Sequence, residues 1–315
     1  SSMLSLADSA SGIIAPLLGG GLYAVIGLRG ILMVDLSTLL VALGALLIVH
    51  IPEPKREEIV AATSSFWSDC IFGFKYILAR RGLLGIQLLM LGVNFGITFG
   101  FAVMAPMILA RTGDNSVVFG AVQMAGSVGT LVGGTIVAVW GGTKRKIHGV
   151  LIGMALGGIG SLLLGVGRGL VVWWAGSFVS SFMAVSIVNS SNQAIWQSKV
   201  PPPMQGRVFA TRRLLAQAMI PVATLSAGFL ADRFFEPLMA SGSSTARVLG
   251  HVVGTGAGTG MALMILLGGL IRIGFGLGGY AFRSIRNVET DLPDHDALAA
   301  LAGRESDAGA AGVGL

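Results

Sequence analysis

The stretch IHGVLIGMALGGIGSLLLGVG, residues 147–167, lies between Lys146 and Arg168 and contains no Asp, Glu, Lys or Arg. A helix needs about 20 consecutive apolar residues to cross the hydrocarbon core of a bilayer. This stretch is long enough, and its apolar residues are continuous instead of alternating, which excludes a transmembrane β-strand. It therefore predicts a membrane-spanning helix.

The composition of the whole chain agrees with this stretch. Only 11% of its 315 residues are charged, whereas an ordinary soluble domain has roughly 25%. Its mean hydropathy is +0.80, and its 48 glycines fit the higher glycine content of transmembrane helices. Since so few charges cannot cover a surface that faces water, we predict an all-α polytopic membrane protein.

Apolar runs bounded by charged residues predict eight transmembrane helices. They cover residues 4–26, 30–51, 83–109, 117–140, 147–167, 170–197, 208–231 and 256–281.

The segments between and after these runs divide the chain. Two prolines and alternating charges in residues 51–58 indicate a solvated linker. Apolar residues at helical spacing from Trp67 to Leu78 then predict an amphipathic helix on the membrane interface. We divide the chain into residues 1–54, with two spans; residues 55–82, a cytoplasmic linker with the amphipathic helix; residues 83–286, a six-span bundle; and residues 287–315, an acidic tail expected to be disordered.

The positions of the cations predict the orientation. An even number of spans sorts the loops into two sets, of which one holds 14 Lys and Arg residues and the other five. Cytoplasmic loops carry the excess of positive charge, so we expect both termini and the longest loop in the cytoplasm. The net charge of +6 is then a topology signal, and we expect no nucleic-acid partner.

Polar side chains at membrane depth are the candidate site residues. Each costs free energy unless it faces a partner or a water-filled cavity. They lie in the third and sixth runs, and those of the sixth recur at spacings of three and four on one helical face. The set is Asn94, Thr98, Asn189, Asn192, Gln193 and Trp196. Two interpretations stay open: these residues line a cavity for an amphipathic organic solute, or they form hydrogen bonds between helices.

Glycines four residues apart recur in several runs and predict that helix backbones approach closely, either as static packing or as faces that slide during a transport cycle. They are Gly92, Gly96, Gly100, Gly129, Gly133, Gly153, Gly157, Gly274 and Gly278.

Motifs of other functional classes do not occur in the sequence. It has no GxxxxGK[ST] phosphate-binding loop, and its four histidines lack metal-binding spacing. No His, Glu or Asp set is spaced as nucleophile and base on adjacent spans. We expect no enzyme activity, no metal and no cofactor. Arg272, about two turns from the end of the last run, could extend its long side chain to the interface.

Several loops resemble those of major facilitator superfamily transporters, especially the macrolide-efflux-like branch. Residues 140–146, Trp-Gly-Gly-Thr-Lys-Arg-Lys, resemble the loop between the eighth and ninth spans of that family, and residues 201–209 resemble its loop between the tenth and eleventh. Residues 66–83 are similar to its central-loop helix, and residues 4–37 to its fifth span entering the sixth. One departure is that Val139 and Trp140 stand where the family's loop carries an acidic residue.

The resemblance implies that the eight spans correspond to the fifth to twelfth of twelve, with residues 1–54 as the last two spans of the N-terminal bundle. It implies that the third and sixth spans line the central cavity and that two loops act in the conformational change. The candidate loop residues are Gly142, Lys144, Arg145, Lys146, Gly206 and Arg207.

The function that the resemblance implies is secondary active efflux of amphipathic organic compounds across a bacterial inner membrane. The partners are then the lipid bilayer, a small organic solute and protons as coupling ion; the oligomeric state stays open. Because carboxylates are scarce in the spans, we expect neutral substrates, or charge recognition by spans outside this chain. The alternative is a truncated membrane remnant or assembly partner, and we expect the chain alone not to transport.

Overall fold

The structure is a computed structural model that describes residue 30, residues 32–44 and residues 66–295. The chain forms two compact units, residues 1–67 and 68–315, and each is considered by itself. In the first unit, helix α1 covers Leu32–Gly44, inside the second predicted span. The first predicted span, residues 4–26, and the predicted linker at residues 51–58 lie outside the described residues.

Within residues 66–295 every regular element is helical. The helices are α2 (Phe66–Leu78), α3 (Arg81–Ala102), α4 (Met104–Thr112), α5 (Ser116–Trp140), α6 (Lys146–Val166), α7 (Leu170–Ser181), α8 (Asn189–Lys199), α9 (Pro202–Leu230), α10 (Glu236–Ala240), α11 (Ser244–Val253), α12 (Thr259–Gly278), α13 (Arg283–Arg286) and α14 (Val288–Asp291). Two π-helical segments, Phe182–Val188 and Ala231–Phe235, continue α7 into α8 and α9 into α10.

Six of these helical stretches are long and apolar enough to cross a membrane: Arg81–Thr112, Ser116–Trp140, Lys146–Val166, Leu170–Lys199, Pro202–Ala240 and Thr259–Gly278. They coincide with the six predicted spans from residue 83 onward. The prediction of an all-α polytopic membrane protein is confirmed.

Glycines allow the central helices α6 and α12 to pack closely. A Cβ atom on Gly276 would lie 2.7 Å from the carbonyl oxygen of Leu151, and one on Gly165 would lie 2.8 Å from that of Ala262. Gly96 and Gly268 bring α3 and α12 together in the same way. Gly274, from the predicted glycine pattern, instead faces open space, so only part of that pattern marks a helix contact.

The described residues at the beginning of the predicted tail include the short helix α14 and contact the bundle. Glu289 in α14 accepts hydrogen bonds from the backbone N–H groups of Lys146 and Ile147, both at 3.0 Å, at the first turn of α6. The Lys199 ammonium, whose side chain is 3% exposed, pairs with Asp294 at 2.9 Å. A helix N-terminus favours a carboxylate, and a buried ammonium needs one. Both contacts hold α14 on the bundle.

Candidate functional site

A cavity of about 430 Å³ lies inside the bundle and within the candidate membrane spans. Five of the six spans contribute to its wall, and α9 is the exception among the described residues. The polar groups on the wall are Asn94, Gln123, Ser127, Thr130, Ser161, Ser177, Ser180, Ser181, Asn189 and Arg272. Its volume is in the range of small-molecule binding sites, which combine apolar walls with a few polar groups.

Two predicted site residues lie on this cavity. Asn94 projects from the middle of α3, and Asn189 begins α8 directly after the π-helical segment. Within that segment, the Ser186 hydroxyl donates to the Thr130 carbonyl oxygen at 3.1 Å, which ties α5 to this turn. Single π-helical turns are frequent at functional sites, and this one directly precedes Asn189.

The other predicted residues of α8 are engaged elsewhere. Trp196, fully buried, donates from its indole nitrogen to the Asn192 side-chain oxygen at 3.0 Å. Gln193 accepts a hydrogen bond from Arg212 of α9 at 3.0 Å. Neither these three residues nor Thr98, which is half-buried on α3, belongs to the described wall of the cavity. Of these residues, Gln193 thus has a hydrogen bond to another helix, whereas Asn192 and Trp196 are bonded to each other within α8.

The sequence analysis did not identify the serines of α7 as residues of the cavity wall. Ser177, Ser180 and Ser181 follow one another at helical spacing along α7, and all three reach the cavity. Serine hydroxyls interrupt an apolar run very little, so the run from residue 170 gave no sign of them. Their spacing of three and four residues was the available signal. Gln123, which stands alone in its run, also reaches the wall.

Arg272 is placed differently from the expectation that it extends to the interface. Its side chain is 1% exposed and turns inward from α12. Nη1 donates to the hydroxyl of Ser161 at 2.8 Å and to that of Ser180 at 2.7 Å. The expectation was wrong because the side chain finds two acceptors and a cavity inside the bundle, close to its own Cα atom.

The candidate loop residues lie at the ends of α5, α6 and α9. Gly142 has φ +79° and follows Gly141 at φ +77°, a left-handed conformation that favours glycine. Lys146 donates from its ammonium to the Gly141 carbonyl oxygen at 2.7 Å, whereas Lys144 and Arg145 are exposed.

In the second loop, the Arg207 guanidinium lies 5.6 Å from the centre of the Phe72 ring. Gly206 in the first turns of α9 has open space around it. Arg207 therefore connects α9 with α2.

The Glu289 carboxylate reaches the first loop from α14. It places an acidic group beside the loop in which the resemblance led us to expect an acidic residue at the position of Val139 or Trp140. In the part of the chain that the structure describes, no group of three His, Cys, Asp or Glu residues could hold a metal ion.

A family model described as Major Facilitator Superfamily matches residues 1–224. Comparisons with curated proteins and with solved structures gave no match.

Proposed function

The chain belongs to the major facilitator superfamily of membrane transporters, and from this premise we propose that it is a secondary active transporter that exports amphipathic organic compounds by alternating access. In this family two bundles of helices rock about a site near the bilayer midplane. Export and the substrate class rest on the likeness of its loops to the macrolide-efflux-like branch.

The observation that carries the proposal is the cavity inside the six-span bundle. It joins amide and hydroxyl groups with an apolar lining that includes Ile97, Phe101 and Ile265. Such a mixture suits an organic solute with one polar end. Asn94 and Asn189 are the two amides that we assign to substrate contact in this cavity.

Energy coupling is assigned to protons, as the resemblance implies. No Asp or Glu belongs to the cavity wall within the described residues, so we expect the proton-carrying group outside this wall. The loops that contain Gly142 and Arg207 are assigned to the conformational change, because they join spans that must move relative to one another.

Inside-out membrane vesicles that contain the full chain test the proposal. The sequence led us to expect no transport by the chain alone, but the cavity lies within the six described spans. We therefore propose that a proton gradient drives uptake of at least one of three fluorescent dyes: neutral Nile red, cationic rhodamine 6G or anionic carboxyfluorescein. Asn189→Ala should reduce this uptake several-fold, since the amide is lost from the cavity wall. Thr98→Ala is the matched control, because Thr98 shares α3 with Asn94 without lining the cavity.

Uptake in the parent protein that both variants leave unchanged would remove the cavity from the transport pathway. No gradient-driven uptake of any dye would instead favour the alternative, a membrane protein that acts as an assembly partner.

A further inference from the structure

The guanidinium of Arg272 is only partly satisfied by the protein. An arginine has five N–H donors in a planar fork. The two on Nη1 are used by Ser161 and Ser180. Nε and Nη2 are buried and have no hydrogen-bond partner among the described residues. Three of the five donors therefore lack an acceptor.

The charge of Arg272 is also uncompensated. No acidic side chain in the part of the chain that the structure describes lies within salt-bridge distance of it. The residue lies six positions before the end of α12, or about 9 Å along the helix axis. A cation at this depth is costly and is by default a sign of function. A contact between helices needs no charge, since neutral side chains also donate to serine hydroxyls.

The surrounding helix leaves room for the guanidinium. A Cβ atom on Gly157 would overlap Nη2 of Arg272, so the guanidinium lies directly against this glycine of α6 and would have to shift if a larger residue replaced it. The cation is therefore built into the wall of the cavity by two helices, α6 and α12.

The polar groups around Arg272 suit an anion. The hydroxyls of Ser161 and Ser180 accept from Nη1. That of Ser161 also donates to the Gly157 carbonyl oxygen at 3.5 Å, whereas that of Ser180 still has its O–H group to donate. Ser177 and Ser181 add further hydroxyls on the same wall. Hydrogen bonds from such groups to a carboxylate are charge-assisted and strong. Elsewhere the wall is apolar, at Ile97, Phe101, Met104 and Ile265 among others.

We propose that this cavity binds an amphipathic organic anion whose carboxylate is received by Arg272 together with Ser180, while its apolar part lies against the apolar residues of the wall. This deepens the proposed function and rests on it for the role of the cavity. It replaces the expectation of neutral substrates, which came from the scarcity of acidic residues in the sequence.

A pair of isosteric probes tests the proposal on the purified full chain in lipid nanodiscs. The probes are 1-naphthaleneacetate and the neutral 1-naphthaleneacetamide, both small enough for about 430 Å³. We expect the acid to bind at least ~10-fold more tightly than the amide. In Arg272→Gln this preference should fall to within ~2-fold. Arg168→Gln is the matched control, because Arg168 is exposed at the end of α6 and should keep the preference.

A second variant keeps the test decisive if Arg272→Gln does not fold. Ser181→Asp retains Arg272 and adds a carboxylate to the same wall, so it should abolish the preference for the acid while the amide still binds. Equal affinity of acid and amide in the parent protein, or a preference that survives Ser181→Asp, would overturn the proposal. Displacement of the acid probe by inorganic phosphate at equal concentration would overturn the assignment of an organic anion.

The two measurements, probe binding and gradient-driven flux, distinguish a failure of the anion site from a failure of the transport proposal. Preference for the acid without gradient-driven flux would uphold the anion site and reject transport. Gradient-driven flux with equal binding of acid and amide would reject the anion site alone.

Discussion

At the scale of single residues, two asparagines three positions apart on α8 differ in burial and in hydrogen bonding. Asn189 is exposed at the cavity, whereas Asn192 is 3% exposed and accepts the indole hydrogen bond of Trp196. The first amide is free to meet a solute, and the second satisfies a buried donor. Removing each amide separately therefore has different consequences for stability and for transport.

We predict that Asn192→Ala destabilises the protein by about 1–3 kcal/mol, because the buried indole N–H of Trp196 loses its acceptor. Asn189→Ala should change the free energy of unfolding by less than about 0.5 kcal/mol, although it reduces transport. The measurement is unfolding of the detergent-solubilised chain by SDS titration. Equal losses of stability in the two variants would contradict this division.

A second prediction at this scale concerns the pKa of the Asp294 carboxyl. Its hydrogen bond with Lys199 lowers the pKa of the carboxyl, against a smaller opposing effect of burial. A carboxyl with a lower pKa in the folded protein stabilises it above the unfolded pKa, and this contribution is lost as the pH falls through the folded value. Since the ordinary pKa of Asp is about 3.9, the loss falls below about pH 4.

We therefore expect residues 292–295 to loosen their contact with the bundle as the pH falls below about 4. A cysteine label in place of Leu292 should report this by its accessibility, in a Cys70→Ser background. In Asp294→Asn the segment should be more accessible at pH 7 and respond less to acid. The change in stability is small, because the Asp294 side chain is 56% exposed and solvent screens the pair.

At the scale of the elements, the crossing of α6 and α12 depends on particular glycines. The Cβ position of Gly276 lies 2.7 Å from a backbone oxygen and 2.8 Å from a backbone nitrogen of α6. Backbone atoms cannot move away as a side chain does, so the helices themselves would have to separate. Gly274, two residues earlier on the same helix, has no heavy atom within 4 Å of its Cβ position.

We predict that Gly276→Ala destabilises the protein by about 1–3 kcal/mol through overpacking. Gly274→Ala should be neutral or stabilise it by up to about 1 kcal/mol, because alanine loses less conformational entropy in a helix. Thermal unfolding of the two variants in the same detergent compares them directly. A destabilising Gly274→Ala with a neutral Gly276→Ala would contradict the packing that the structure describes.

At the scale of the whole molecule, the loops determine the orientation. The loop before α6 contains exposed Lys144 and Arg145, whereas the loop before α5 contains exposed Asp114. With the positive loops in the cytoplasm, we propose that both termini are cytoplasmic and that the protein lies in the inner membrane. Successive spans cross the membrane in opposite directions. The side on which one loop lies therefore determines the side of the next loop.

Cysteine labelling of intact cells checks this orientation. In the Cys70→Ser background we expect Asp114→Cys to react with a membrane-impermeant maleimide from outside. Arg145→Cys should react only after the membrane is permeabilised. Labelling of Arg145→Cys in intact cells would reverse the proposed topology.

The sequence by itself determined the class of fold and the approximate positions of the six long apolar helices that the structure describes. The reason is that lipid demands about 20 apolar residues from every spanning helix and leaves few other structures possible. The spacing of residues also placed Asn189, Asn192 and Trp196 on one face of α8. The spacing could not show what surrounds each residue at its own depth in the bundle. Asn189 and Trp196 are seven residues apart, which is about 10 Å along a helix.

Only the tertiary structure decided which neighbour covers each part of that face. Near Asn189 the neighbours are the serines of α7 and the cavity, whereas Trp196 packs in a core with Ile147 and Val150. The same holds for Arg272, whose guanidinium lies against Gly157 of α6 and donates to two serine hydroxyls. Residues on three helices create that site, and a periodic pattern within one helix holds no information about the other two.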